Sequence, residues 1–171
     1  MALHQQLARV STAYLDGCRR AAAAAPDADP GWGPPDGDTL DLDWALWGLV
    51  RYLRWAEEEP ELLRTLERSI DGDGPEEIPY LDHLEVYDRF GDPPSLLSPP
   101  VVAELAARLG AVNPEAVFAA FPQERELVEE ACGLGPVDGD VREWLALHLA
   151  ALREFYREAA ARELAVVAWV D

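Results

Sequence analysis

Apolar residues recur at helical spacing through most of this chain and give way to strand-like runs near its two ends. Residues 3–10 are short and partly alternating, with Leu3 and Leu7 on one parity and His4, Ala8 and Val10 on the other, which predicts an N-terminal strand. Ser11 stands where an N-cap belongs. Tyr14, Leu15, Cys18, Ala21, Ala22 and Ala25 follow at three- and four-residue intervals until Pro26, which predicts a first helix. From Pro26 to Asp38 the chain holds four prolines, three glycines and a single large apolar residue, Trp32, so it reads as a loop. Thr39 or Asp38 is placed to cap a second helix. Its stripe is Leu42, Leu46, Leu49, Val50 and Leu53, flanked by Trp44 and Trp47, with Arg51, Arg54 and Glu58 toward solvent. Pro60 at a first helical position, followed by Leu62, Leu63, Leu66 and Ile70, predicts a short third helix.

Residues 71–97 are the least legible, because Tyr80, Leu84, Val86, Tyr87 and Phe90 fit a strand and an irregular packed loop equally. Ser98 and Pro99 then open a helix through Val101, Val102, Leu105, Ala106 and Leu109, with Gly110 placed to end it in the left-handed conformation. Asn113 and Pro114 repeat the start signal ahead of Val117, Phe118 and Phe121. After Pro122 the pattern Leu127, Val128, Ala131, Cys132 runs to Gly133. Asp140 caps the longest helix, whose stripe of Val141, Trp144, Leu145, His148, Leu152, Phe155, Tyr156 and Ala159 persists for about five turns. The period then changes. Leu164 to Val170 is an almost unbroken apolar run, as expected of a central strand covered on both faces and lying beside the N-terminal one. The reading is an α+β domain spanning 1–171, mainly amphipathic helices packed around a small β-sheet that contains the N-terminal and C-terminal strands.

Length and composition are consistent with one domain. A chain of 171 residues with 49% hydrophobic residues and six tryptophans has the material for a core. Two cysteines without a CxxC pair suit a reducing compartment, and with no long apolar stretch and no signal-like N-terminus the expected location is the cytoplasm. The net charge is -19, from 33 acids against 14 bases, and every base is arginine. Such a field opposes nucleic acid and anionic membranes and favours a basic protein partner. The charge is also uneven. Residues 26–43 hold six acids and no base, and residues 71–95 hold eight acids with only Arg89, so these two stretches carry -6 and -7, or -13 of the -19.

Candidate chemistry is sparse. Asp-Gly-Asp occurs at Asp36–Asp38, Asp71–Asp73 and Asp138–Asp140, but none continues with the further oxygen ligands and terminal Glu of an EF-hand, so these read as turns and caps with no metal expected. His4, His83 and His148 lack zinc-ligand spacing, and Cys18 and Cys132 fall on apolar helix faces. No GxSxG, P-loop or GxGxxG is present, and no cofactor is expected. Trp32, isolated in its loop, either pins that loop to the body or anchors a partner. The leading expectation is therefore a non-enzymatic protein-interaction module, of inhibitor or immunity type. It would bind a basic partner through Trp32, Asp36, Asp38, Asp71, Asp73, Glu76, Glu77 and Asp82. The alternative is a small hydrolase or ligand-binding enzyme using His148 or a carboxylate pair.

Four segments also carry a family likeness. Residues 152–160 (LREFYREAA) leading into 165–169 (AVVAW), 96–103 (LLSPPVVA), 41–49 (DLDWALWGL) and 7–11 (LARVS) together resemble, in order, the end, a loop-to-helix junction, an early helix and the first strand of the YfbM-like family. The chain departs from that family at Phe90–Ser95, where a Gly-Tyr-Gly-Pro-Ala-Arg-like stretch is expected. The resemblance implies a compact α+β domain with helices around a small sheet. It implies no activity, because the family is one of unknown function.

Overall fold

A computed structural model describes residues 4–24, 32–57, 60–72, 94–134 and 139–170. Strand β1 (Gln5–Val10) runs into helix α1 (Thr12–Ala24), and β2 (Thr39–Asp41) precedes α2 (Ala45–Ala56) and α3 (Pro60–Asp71). Strand β3 (Ser95–Leu97) is followed by α4 (Pro99–Gly110), α5 (Pro114–Val117), α6 (Arg125–Cys132) and α7 (Val141–Ala161), and β4 (Ala165–Val170) comes last. The four strands form one antiparallel sheet in the order β2-β1-β4-β3. The two strands from the chain ends are the central pair, from Gln5 opposite Val170 to Val10 opposite Ala165.

Strand parity divides the apolar residues between two unequal cores. Leu7, Leu97, Val166 and Ala168 face the main core, while Val10, Ala165 and Val167 join Leu15 and Cys18 of α1 in a smaller cluster on the other face. Cover on both faces is why β4 reads as continuous rather than alternating. Ser11 Oγ accepts from the Tyr14 N–H at 3.1 Å and sets the start of α1. On the main face α7 is the central helix, with α2 and α4 packed against it. Its Leu145, Leu149, Leu152 and Tyr156 are fully buried. The Tyr156 hydroxyl donates to the Ser69 carbonyl at 2.7 Å and the Tyr52 hydroxyl to the Val117 carbonyl at 3.0 Å, so both large buried rings have their polar ends satisfied.

Several expectations need correction. Thr39 does not cap α2; with Leu40 and Asp41 it forms the edge strand β2, preceded by a 3-10 turn over Asp36–Asp38. The turn into α2 is made instead by Asp41, whose Oδ1 accepts from the Asp43 N–H at 2.8 Å while Asp43 takes φ 48. Gly110 stays right-handed within α4. The carbonyls there are bound by the Ala111 N–H and by Arg153, which donates to Leu109 at 2.9 Å and Gly110 at 3.2 Å, so no left-handed closure is needed. Leu127 is 40% exposed, because α6 buries Val128, Ala131 and Cys132 instead. Glu58 and most of 71–97 lie outside the described residues, although the end of that stretch is β3.

Gly72 fixes where the chain leaves α3. It holds φ 72, and a Cβ there would lie 2.6 Å from the Ser95 Cβ, so only glycine brings the end of α3 this close to the start of β3.

Candidate functional site

The register of the sheet separates the acids of residues 26–43 into two groups. At the end where β1 finishes and β4 starts, the 3-10 turn sits over Arg9. This side chain is 8% exposed and is surrounded by acceptors. Its Nε donates to Asp38 Oδ1 at 2.8 Å and its Nη2 to the Gly37 carbonyl at 2.8 Å, while Nη1 lies 2.7 Å from Glu158 Oε2. The guanidinium also stands 5.0 Å from the Phe155 ring centre. Arg162, just past α7, adds a bidentate contact to Asp38 at 2.5 and 3.1 Å. The Arg162 hydrogen bond, then that of Arg9, outweighs partial burial and holds the Asp38 carboxyl well down, at about 2. Asp38 is thus paired within its own chain, and only Asp36 of that turn is an exposed acid.

A folded-state pKa below the unfolded value stabilises above the unfolded pKa and is lost as pH falls through the folded one. Asp38→Asn should therefore cost about 1–2 kcal/mol at neutral pH. It should also flatten the loss of stability between pH values of about 4 and 2 in acid-unfolding curves.

The opposite end, where β1 starts and β2 and β4 finish, collects the other acids. Asp41 accepts from His4 Nδ1 at 3.0 Å. Burial, the largest single influence, raises the Asp41 carboxyl, but the Asp43 N–H and the His4 and Gln6 side chains together outweigh it, and the net direction is down. The Asp43 carbonyl takes the Gln5 N–H at 3.1 Å, and the buried Gln5 side chain reaches across to the Ile70 carbonyl at 3.4 Å and that of Trp169 at 3.1 Å. Gln5 therefore holds both Asp43 and Ile70, the residue before Asp71. Gly72 abuts Ser95 at this same end.

Of the residues singled out in the sequence, Trp32 is half-buried. Its ring meets those of Tyr14 and Trp169 edge-on, at 5.9 and 6.1 Å, and the Tyr14 hydroxyl accepts from the Gly33 N–H at 2.7 Å. Trp32 thus closes the smaller core. Asp36 and Asp38 sit at one end of the sheet and Asp71 at the other, so the structure does not bring them together. Asp73, Glu76, Glu77, Asp82, His83 and Asp138 lie outside the described residues. Asp41, Asp43 and His4 were not singled out as binding residues; the signal for Asp41 and Asp43 was present only as the acid count of residues 26–43, and His4 carried none.

His148 and Cys132 sit in ordinary packed surroundings. His148 is half-buried and donates from Nδ1 to the Trp144 carbonyl at 2.8 Å. Burial pushes the Cys132 thiol up to about 11, only partly offset by Arg51, which suits an inert cysteine. Among the described residues, open clefts include one of about 520 Å³ between Phe121, Arg125 and Arg142 and one of about 430 Å³ between Glu61, Arg108 and Val117. Neither is lined by His148, Cys18 or Cys132. Among the described residues no group of three or more His, Cys, Asp or Glu could hold a metal ion, and no helix is long and apolar enough to cross a membrane.

Helices on both faces of a four-stranded antiparallel sheet, with the two terminal strands paired at its centre, define an α+β protein of unequal layers. This is the YfbM-like fold. The chain is similar to the crystal structure of YfbM from Escherichia coli, a protein of unknown function, with TM-score 0.57 and 14% identity over 97% of this chain and 98% of that one. No protein-family model matches the chain, and no curated protein sequence matches it.

Proposed function

We propose that this protein is a non-catalytic binding module that recognises a basic protein, in the manner of an inhibitor or immunity protein, at the sheet end marked by Asp41, Asp43 and Asp71. The observation that carries this reading is that Gln5 holds both Asp43 and Ile70, the residue before Asp71, and so gathers these acids with Asp41 at one end of the sheet. Several acids elsewhere have partners in the chain itself. Asp38 is held by Arg9 and Arg162, Glu67 by Arg54, Glu104 by Arg68 and Arg108, and Glu129 by Arg125. The acids gathered at this end would supply a negative field that steers a cationic surface toward it. A bacterial cytosolic setting fits the reading, since its reducing conditions keep the buried Cys18 and Cys132 as thiols.

Titration with an arginine-rich peptide in about 20 and about 200 mM salt tests it. Binding should weaken at least roughly tenfold at the higher salt. Undetectable binding at low salt, or an affinity indifferent to salt, would contradict it.

A further inference from the structure

The outer edge of β2 offers more than charge. β2 ends the sheet, and among the described residues no strand pairs with its outer side. Its backbone parity follows from the join to α2. The Leu42 N–H donates to the Gln5 carbonyl at 2.9 Å, and the register continues with Leu40 opposite Leu7. Bonded positions alternate along an antiparallel ladder, so Leu40 and Leu42 turn their backbone groups to β1, and Asp41 turns its N–H and C=O outward. The Thr39 carbonyl points outward likewise, while the Thr39 N–H is taken by the Asp36 carbonyl. Thr39 and Asp41 are exposed. The free edge thus presents an acceptor, a donor and an acceptor in sequence, with the exposed Asp41 in the strand, its carboxylate also met by His4, and the acids Asp36 and Asp43 in the turns on either side of it.

We propose that this edge docks an extended basic segment of the partner as an additional strand. The proposal rests on the basic-partner reading and specifies how that partner is held: main-chain hydrogen bonds from Thr39 and Asp41 give the attachment, and arginine or lysine opposite Asp41 gives the selectivity. Charge complementarity decides the occupant. A second copy of the chain in the same place would bring two sets of Asp36, Asp41 and Asp43 into one seam between two chains of charge -19. The same carboxylates keep a short open edge from pairing with acidic or neutral strands.

The test uses the whole protein and two peptides of about ten residues that alternate arginine with threonine, one of them N-methylated along its backbone so that charge is kept and strand pairing is lost. The unmodified peptide should slow hydrogen exchange at the Asp41 amide at least roughly tenfold and bind at least roughly tenfold more tightly than its methylated mate. Equal affinities with an unprotected Asp41 amide would overturn strand docking while leaving the acidic surface as the binding site. Failure of both peptides to bind at low salt would overturn the basic-partner reading and strand docking with it. Dimerisation of the protein through β2, seen as protection of the Asp41 amide with no peptide present, would also overturn it.

Discussion

Arg9→Ala is expected to lower stability by about 3–5 kcal/mol, a large share of what a domain of this size possesses. Arg9 ties β1, the 3-10 turn and α7 together, through Asp38, the Gly37 carbonyl, Glu158 and the Phe155 ring. Truncating it leaves Glu158 without its shortest partner and the Gly37 carbonyl without its donor, and it opens a gap over Phe155. Asp38 keeps Arg162, so the turn is weakened rather than released. The melting temperature should fall by about 10 °C. Arg9→Lys should recover only part of this, since one ammonium cannot reproduce a planar fork aimed at several acceptors. A fall below about 1 kcal/mol for the alanine variant in denaturant unfolding would mean that the network is not a structural centre.

The double variant Asp43→Asn/Asp71→Asn is expected to weaken binding of a basic ligand about tenfold with little change in stability. Two charge pairs near the surface at roughly 0.7 kcal/mol each amount to about 1.4 kcal/mol, which is a factor of ten in affinity. Neither acid is demanded by the local backbone. Asp43 holds φ 48, a conformation that asparagine adopts as readily. Asp71 lies in the last turn of α3, where the helix dipole disfavours a negative charge.

Most of the fold was legible because its elements carry their own boundary signals. Asp140 caps α7 with a 3.1 Å bond from the Glu143 N–H, Asn113 caps α5, and the apolar run of β4 reflects cover on both faces. β2 was not legible. It has three residues, Leu40 is its single apolar side chain, and Leu42 continues directly into the stripe of α2. Missing β2 hid the arrangement of the acids, because its register sends Asp36 and Asp38 to one end of the sheet and Asp41 and Asp43 to the other. The pairing of Asp38 with Arg162 was equally out of reach, as the two are 124 positions apart and meet only once α7 and β4 are packed. Charge counting along the chain located the acid-rich stretches; it could not say which acids the fold neutralises.

The most direct measurement compares the affinity of one arginine-rich peptide for the wild-type protein, for Asp43→Asn/Asp71→Asn, and for Glu126→Gln/Glu130→Gln, which removes the same charge from exposed positions on α6. With recognition at the sheet end, the first variant should bind about tenfold more weakly and the second within about twofold of wild type. Equal losses in both variants would show that the peptide responds to net charge alone and would contradict a binding site at the end of the sheet.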